Sequence, residues 1–163
     1  MSRRLRPLLA CLALLGCAAD PPVSPGSRPA VDLSASGPVE VAAAPGQSLH
    51  LARYEIAPMT DLRPHFHDGT QIGMILGGTM TYTVLTGSVP IYRHGQDGRP
   101  ELVAEVFAGE TRRITAGQWV VERADAVHFG ANREPVPLVI VTSSLLRAGA
   151  PLATPVETQA SPR

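Results

Sequence analysis

The chain has 163 residues, 14 arginines and no lysine against 14 acidic side chains, and a formal charge of zero. That length fits one domain plus attachments, and a balanced charge leaves no basic surface of the kind nucleic acid requires. Arginine without lysine, beside abundant Ala, Gly and Pro, reads as coding bias, so composition alone points to no chemistry.

The chain opens with an export pattern. Arg3, Arg4 and Arg6 precede the apolar run LLACLALLG, which is too short to span a membrane stably. Leu14-Leu15-Gly16-Cys17 resembles a bacterial lipobox. That resemblance implies removal of residues 1–16 as a lipoprotein signal peptide and acylation of Cys17 as the first mature residue. Ala18, rather than an aspartate, follows the cysteine. This favours the outer membrane, so the expected location is the bacterial cell envelope, lipid-anchored and facing the periplasm. Loss of the signal leaves 11 arginines against 14 acidic residues, a net charge of minus three. It also removes Cys11, so the domain keeps no thiol for a disulfide.

Residues 17–37 are crowded with Pro, Ser, Gly and Ala, lack a sustained apolar period, and read as a flexible linker behind the lipidated cysteine. Residues 148–163 have a similar composition and read as a disordered tail. The folded domain is expected over residues 38–147. Nine segments there are rich in Val, Ile, Thr and Tyr: SLHLARYEI, GMIL, TMTYTVL, VPIYRH, ELVAEVF, TRRIT, WVVER, AVHFGA and LVIVTSSLL. Turn residues separate them, among them Gly77-Gly78, Gly87 and Gly117. No amphipathic helix is evident, and nine short strands predict an all-β sandwich or a small barrel enclosing a pocket.

His65 and His67 stand two apart, so on an extended segment both rings project to one side and can converge on an ion. Gln71 follows four residues later, and a second block, GQWVVERADAVHFGAN, supplies His128. The order and spacing of these residues resemble the two motifs of the cupin superfamily. The first appears as Met59, five residues, His65-Phe66-His67, three residues, Gln71, six residues, Gly78. The second appears as Gly117, five residues, Arg123-Ala124-Asp125, two residues, His128, three residues, Asn132. The spacings agree throughout, while Met59, Gln71, Arg123 and Asp125 replace glycine, glutamate, proline and glycine.

The resemblance implies a small antiparallel double-sheet barrel of the jelly-roll type, with a divalent metal ion inside it: Fe, Mn, Zn or Ni. His65, His67 and His128 would be metal ligands, and Gln71 takes the glutamate ligand's place. Gly78 and Gly117 would be turn glycines, and Asn132 would close a turn or strand end. A glutamine supplies neither the charge nor the basicity of a glutamate. The site is therefore expected to be more positive by one unit. Gln71 either lends its amide oxygen to the ion or steps back and leaves a three-histidine face with open positions, which suits non-haem iron.

Asp125 is expected to take the left-handed turn conformation of the glycine it replaces. Arg123 is a candidate for clamping a substrate carboxylate, set against a solvated rim charge paired with Asp125 or Glu122. Tyr82 and Tyr92 are candidate proton donors, Tyr82 also a candidate substrate contact, Trp119 a core residue, and Phe66, Met74, Ile75 and Met80 candidate pocket linings. Two functions fit: a metal-dependent enzyme acting on a small organic molecule (dioxygenase-like, isomerase or lyase), or a surface protein that binds a metal or small ligand without turnover. Expected partners are that small molecule, the membrane through the lipid anchor, and a second copy in a homodimer, with no nucleic acid.

Overall fold

The computed structural model describes residues 29–156. The signal sequence, Cys17 and most of the expected linker lie outside the described residues. Within them the chain forms thirteen strands: β1 (Val31–Glu40), β2 (Gln47–Ile56), β3 (Thr60–Asp61), β4 (His65–Phe66), β5 (Gly69–Gly77), β6 (Thr79–Thr86), β7 (Ser88–His94), β8 (Pro100–Phe107), β9 (Thr111–Thr115), β10 (Gln118–Glu122), β11 (Val127–Asn132), β12 (Leu138–Arg147) and β13 (Thr154–Pro155). All nine strands expected from the sequence are present. The protein is all-β, with two antiparallel sheets in a jelly-roll arrangement.

One sheet runs β1-β2-β12-β5-β10-β7-β8, and the other β13-β4-β11-β6-β9, with β3 also paired to β11. Period-two patterning decides which side chains meet between them. On β6, Met80, Tyr82 and Val84 point inward, and on β12, Leu138, Ile140, Thr142, Ser144 and Leu146 do. Ile56, Ile75, Val89, Ile91, Val106 and Ile114 complete much of the core. Each such aliphatic side chain taken from water contributes about 1.5–3 kcal/mol.

Both expected domain boundaries move outward. Residues 31–37, read as the end of the linker, belong to the edge strand β1, paired from Val31↔Ile56 to Ser36↔Leu51. Its side chains are almost all exposed. Open backbone groups on β2, rather than an apolar face of its own, hold it. The tail also contains structure: Thr154 and Pro155 pair with Phe66 and His65, and the Val156 amide donates to the Pro64 carbonyl at 2.9 Å.

The motif positions that depart from the cupin pattern behave unequally. Met59 is the one non-glycine with positive φ among the described residues, at 55°, so the backbone keeps the left-handed conformation without the glycine. Asp125 does not adopt it. The Ala126 amide instead donates to the Arg123 carbonyl at 3.0 Å, closing an i to i+3 turn that needs no left-handed residue. Asn132 closes the end of β11, its Nδ2 donating to the carbonyls of Ile56, Ala57 and Val136 and its Oδ1 accepting from the Glu134 amide.

Candidate metal centre

Strand pairing unites histidines 63 residues apart in sequence. β4 and β11 are hydrogen-bonded neighbours, with His65 directly opposite His128. His67 follows β4 immediately and projects to the same side as His65. The three rings lie with centroids 4.6 to 5.2 Å apart. One nitrogen from each falls within 4.8 Å of the others, a cluster that can hold a metal ion.

Two carbonyls orient the rings. His65 Nδ1 is 2.7 Å from the Arg63 carbonyl, and His67 Nδ1 is 2.7 Å from the Leu152 carbonyl. A carbonyl only accepts, so each Nδ1 carries the hydrogen and each Nε2 keeps its lone pair, the arrangement a metal-ligating imidazole requires. His128 is buried, and its Nδ1 has no hydrogen-bond partner. The donor set fits a divalent ion that accepts imidazole nitrogen.

The facing sheet supplies a polar row across three adjacent strands. Ser144 on β12 is opposite Gln71 on β5, and Gln71 is opposite Glu122 on β10. All three are buried, Ser144 at 0%, Gln71 at 6% and Glu122 at 4% exposure. The Ser144 hydroxyl donates to Gln71 Oε1 at 2.6 Å, and Gln71 Nε2 donates to Glu122 Oε2 at 2.8 Å. A carboxylate can only accept, so it selects this amide orientation over its flipped form. Gln71 therefore turns its nitrogen towards the histidines, 3.0 Å from His67 Nε2, and its oxygen towards Ser144. As placed here, the amide oxygen of Gln71 is turned away from the histidines.

Glu122 is the residue that sequence reasoning missed as part of the site. Oε2 lies 3.3 Å from His67 Nε2, and Oε1 lies 3.1 Å from His128 Nε2 and 2.8 Å from the Tyr82 hydroxyl that donates to it. The expected surplus positive charge is thus offset by a carboxylate from the next strand. A signal existed: Glu122 is two residues from the apolar Val120 on the same strand and shares its inward face. The apolar neighbours Trp119 and Val121 concealed that face, because either register looked buried.

Burial would raise the Glu122 pKa, but the adjacent His128 and His67 and the Gln71 hydrogen bond outweigh it and hold the carboxyl well below the usual carboxylate range. Burial lowers His128 to about 4 against the opposing field of Glu122, and also lowers His65. For His67 burial opposes the charge, yet the hydrogen bond and field of Glu122 prevail and raise the pKa. Burial, reinforced by Glu122, pushes the Tyr82 phenol well above 10. The Tyr82 ring also stacks on His128 at 5.3 Å.

A cavity of about 250 Å³ adjoins the cluster. Ile56, Leu62, Met80, Val120 and Ile140 line it, and Arg63 is its one arginine. Of the expected lining residues only Met80 borders it. Ile75 belongs to the core, while Phe66 and Met74 project elsewhere. Arg123 is exposed, makes no ion pair among the described residues and lies away from the cavity. Alternation explains this, since Glu122 points inward and its neighbour must point out. Trp119 is buried, as expected of a core residue, on the opposite face to Val120, with the Tyr92 ring stacked at 6.0 Å and the His94 ring tilted at 4.8 Å.

The two motif strands thus pair within a jelly roll and bring all three motif histidines to one point between its sheets. The fold is that of the cupins. Solved structures similar to the chain include a cupin superfamily protein from Desulfitobacterium hafniense, with TM-score 0.46 and 9% identity, covering 71% of this chain and 78% of that one. KdgF from Halomonas sp. has TM-score 0.46 and 19% identity, covering 72% and 81%. A salicylate 1,2-dioxygenase from Pseudaminobacter salicylatoxidans has TM-score 0.42 and 11% identity, covering 62% of this chain and 26% of its own. No protein-family model and no curated protein matches the chain. These likenesses are distant, and the chemistry assigned to this site rests on its own residues.

Proposed function

We propose that this cupin holds a divalent metal ion on His65, His67 and His128 and brings it to a small organic molecule bound in the adjoining cavity. The carrying observation is the convergence of three imidazole nitrogens within 4.8 Å, two of the rings set by backbone carbonyls. An ion bound there would supply Lewis-acid chemistry and, if redox-active, oxygen chemistry of the dioxygenase type. The chain's own contribution is a largely apolar cavity, with the exposed Arg63 on its lining. Such a cavity favours a compact, mostly apolar molecule with an anionic group. Glu122 provides a fixed negative charge, and Tyr82 and Gln71 hold it in place by hydrogen bonds.

The test is metal analysis of the protein purified without a histidine tag, wild type beside a His65→Ala/His128→Ala double variant. About one equivalent in the wild type and almost none in the variant is expected. Less than about a tenth of an equivalent in reconstituted wild type would sink the reading. Oxygen consumption across aromatic acids, diketones and phenols then tests the dioxygenase-like reading against a binding protein.

A further inference from the structure

Three neutral imidazoles do nothing to reduce the double charge of a divalent ion, and position 71, where the cupin motif has a glutamate, contributes only an amide. The inner face offers a carboxylate one strand away. Glu122 lies opposite Gln71 in the β5–β10 register, with its two oxygens 3.1 Å from His128 Nε2 and 3.3 Å from His67 Nε2. Ligand atoms bonded to one ion at about 2.0–2.2 Å, at angles between right and tetrahedral, stand about 2.8–3.6 Å apart. Both separations match those of neighbouring ligands and involve two of the three histidines, whereas the group within 4.8 Å comprises the histidines alone, so an ion would have to draw the carboxylate towards His65.

We propose that Glu122 is the anionic ligand of this metal centre, its carboxylate displaced by one strand from position 71, and that Gln71 has become the donor that positions it. The inference rests on the metal-centre reading. Three further contacts support it. Gln71 Nε2 holds one carboxylate oxygen and the Tyr82 hydroxyl holds the other, each at 2.8 Å, leaving further lone pairs on both oxygens for an ion. Ser144 secures Gln71 Oε1 at 2.6 Å, so the amide is not free to turn its oxygen inward. Among the described residues no arginine pairs with Glu122, and the basic groups beside it are the His67 and His128 imidazoles. A carboxylate buried merely for structure would more simply take a guanidinium partner.

Wild type, Glu122→Gln, Gln71→Glu and the Gln71→Glu/Glu122→Gln exchange, each purified without a histidine tag, are titrated with Co(II) against a competing chelator while visible absorption is recorded. Loss of a ligand predicts that Glu122→Gln weakens Co(II) by more than the roughly 10- to 100-fold expected for removal of a hydrogen-bonding partner, and shifts its absorption bands. The exchange returns a carboxylate from the adjacent strand and is expected to recover affinity to within about tenfold of wild type. Glu122→Gln with wild-type affinity and bands overturns the proposal, and an exchange variant no better than Glu122→Gln overturns the trade of roles. Should Glu122→Gln fail to fold, Glu122→Asp keeps the charge but withdraws the oxygens by one methylene. Unchanged Co(II) bands in that variant overturn the proposal equally. A wild type that takes up no metal overturns the metal-centre reading as well.

Discussion

His128 shows how burial at a single residue makes this site sensitive to acid. In the metal-free protein its pKa is lowered to about 4, whereas the unfolded chain takes up the same proton near 6.5. Between those values the unfolded state binds more protons, so stability falls as the pH drops from 6.5 towards 4. His65, also lowered by burial, acts with the same sign, and Glu122, held low, extends the loss below 4.5. His67 is raised, so its contribution is fully present in this window and fades only at higher pH. Chelator-treated protein is expected to lose on the order of 1–3 kcal/mol between pH 7 and pH 4 in urea denaturation. An unchanged midpoint across that range would contradict the assignment.

Turns at the ends of strands decide where the motif residues are carried. Gly78 between β5 and β6 and Gly117 between β9 and β10 both have positive φ, 80° and 86°. They differ in their surroundings: a Cβ at Gly78 would stand 2.8 Å from the Pro137 carbonyl oxygen, whereas one at Gly117 would meet nothing within 4 Å. Gly117→Ala should therefore cost only left-handed strain, about 1–2 kcal/mol. Gly78→Ala adds a clash with backbone and should cost at least about twice as much. Thermal melts of the two variants check this, and equal losses would show that the contact at Gly78 relaxes freely. Both glycines were legible as turns, because Gly78 and Gly117 sit between β-patterned runs. β1 and β13 were not, because strands held by a neighbour's backbone carry little apolar period of their own.

For the whole molecule, the expected lipid anchor sets where any chemistry occurs. We propose that Cys17, which lies outside the described residues, is acylated and ties the domain to the bacterial envelope. In a bacterial host the wild type is expected to partition into detergent and sediment with membranes. Cys17→Ser should move it to the soluble fraction, and an unchanged distribution would remove the anchor.

The sequence by itself determined the two-sheet class, the nine main strands and the three histidines, because period-two patterning, turn residues and motif spacing are local along the chain. It could not decide the electrostatics of the site. Gln71 read as a missing charge because its row partners, Ser144 and Glu122, are 73 and 51 residues away in sequence. Only strand register sets them side by side. A one-residue shift of β10 would turn Glu122 to the outer face and bring Arg123 inward. The tertiary structure made that choice: Val120 and Glu122 share the inner face, the pairing of β5 with β10 sets the carboxylate opposite Gln71, and the packing of the two sheets brings it to His67 and His128.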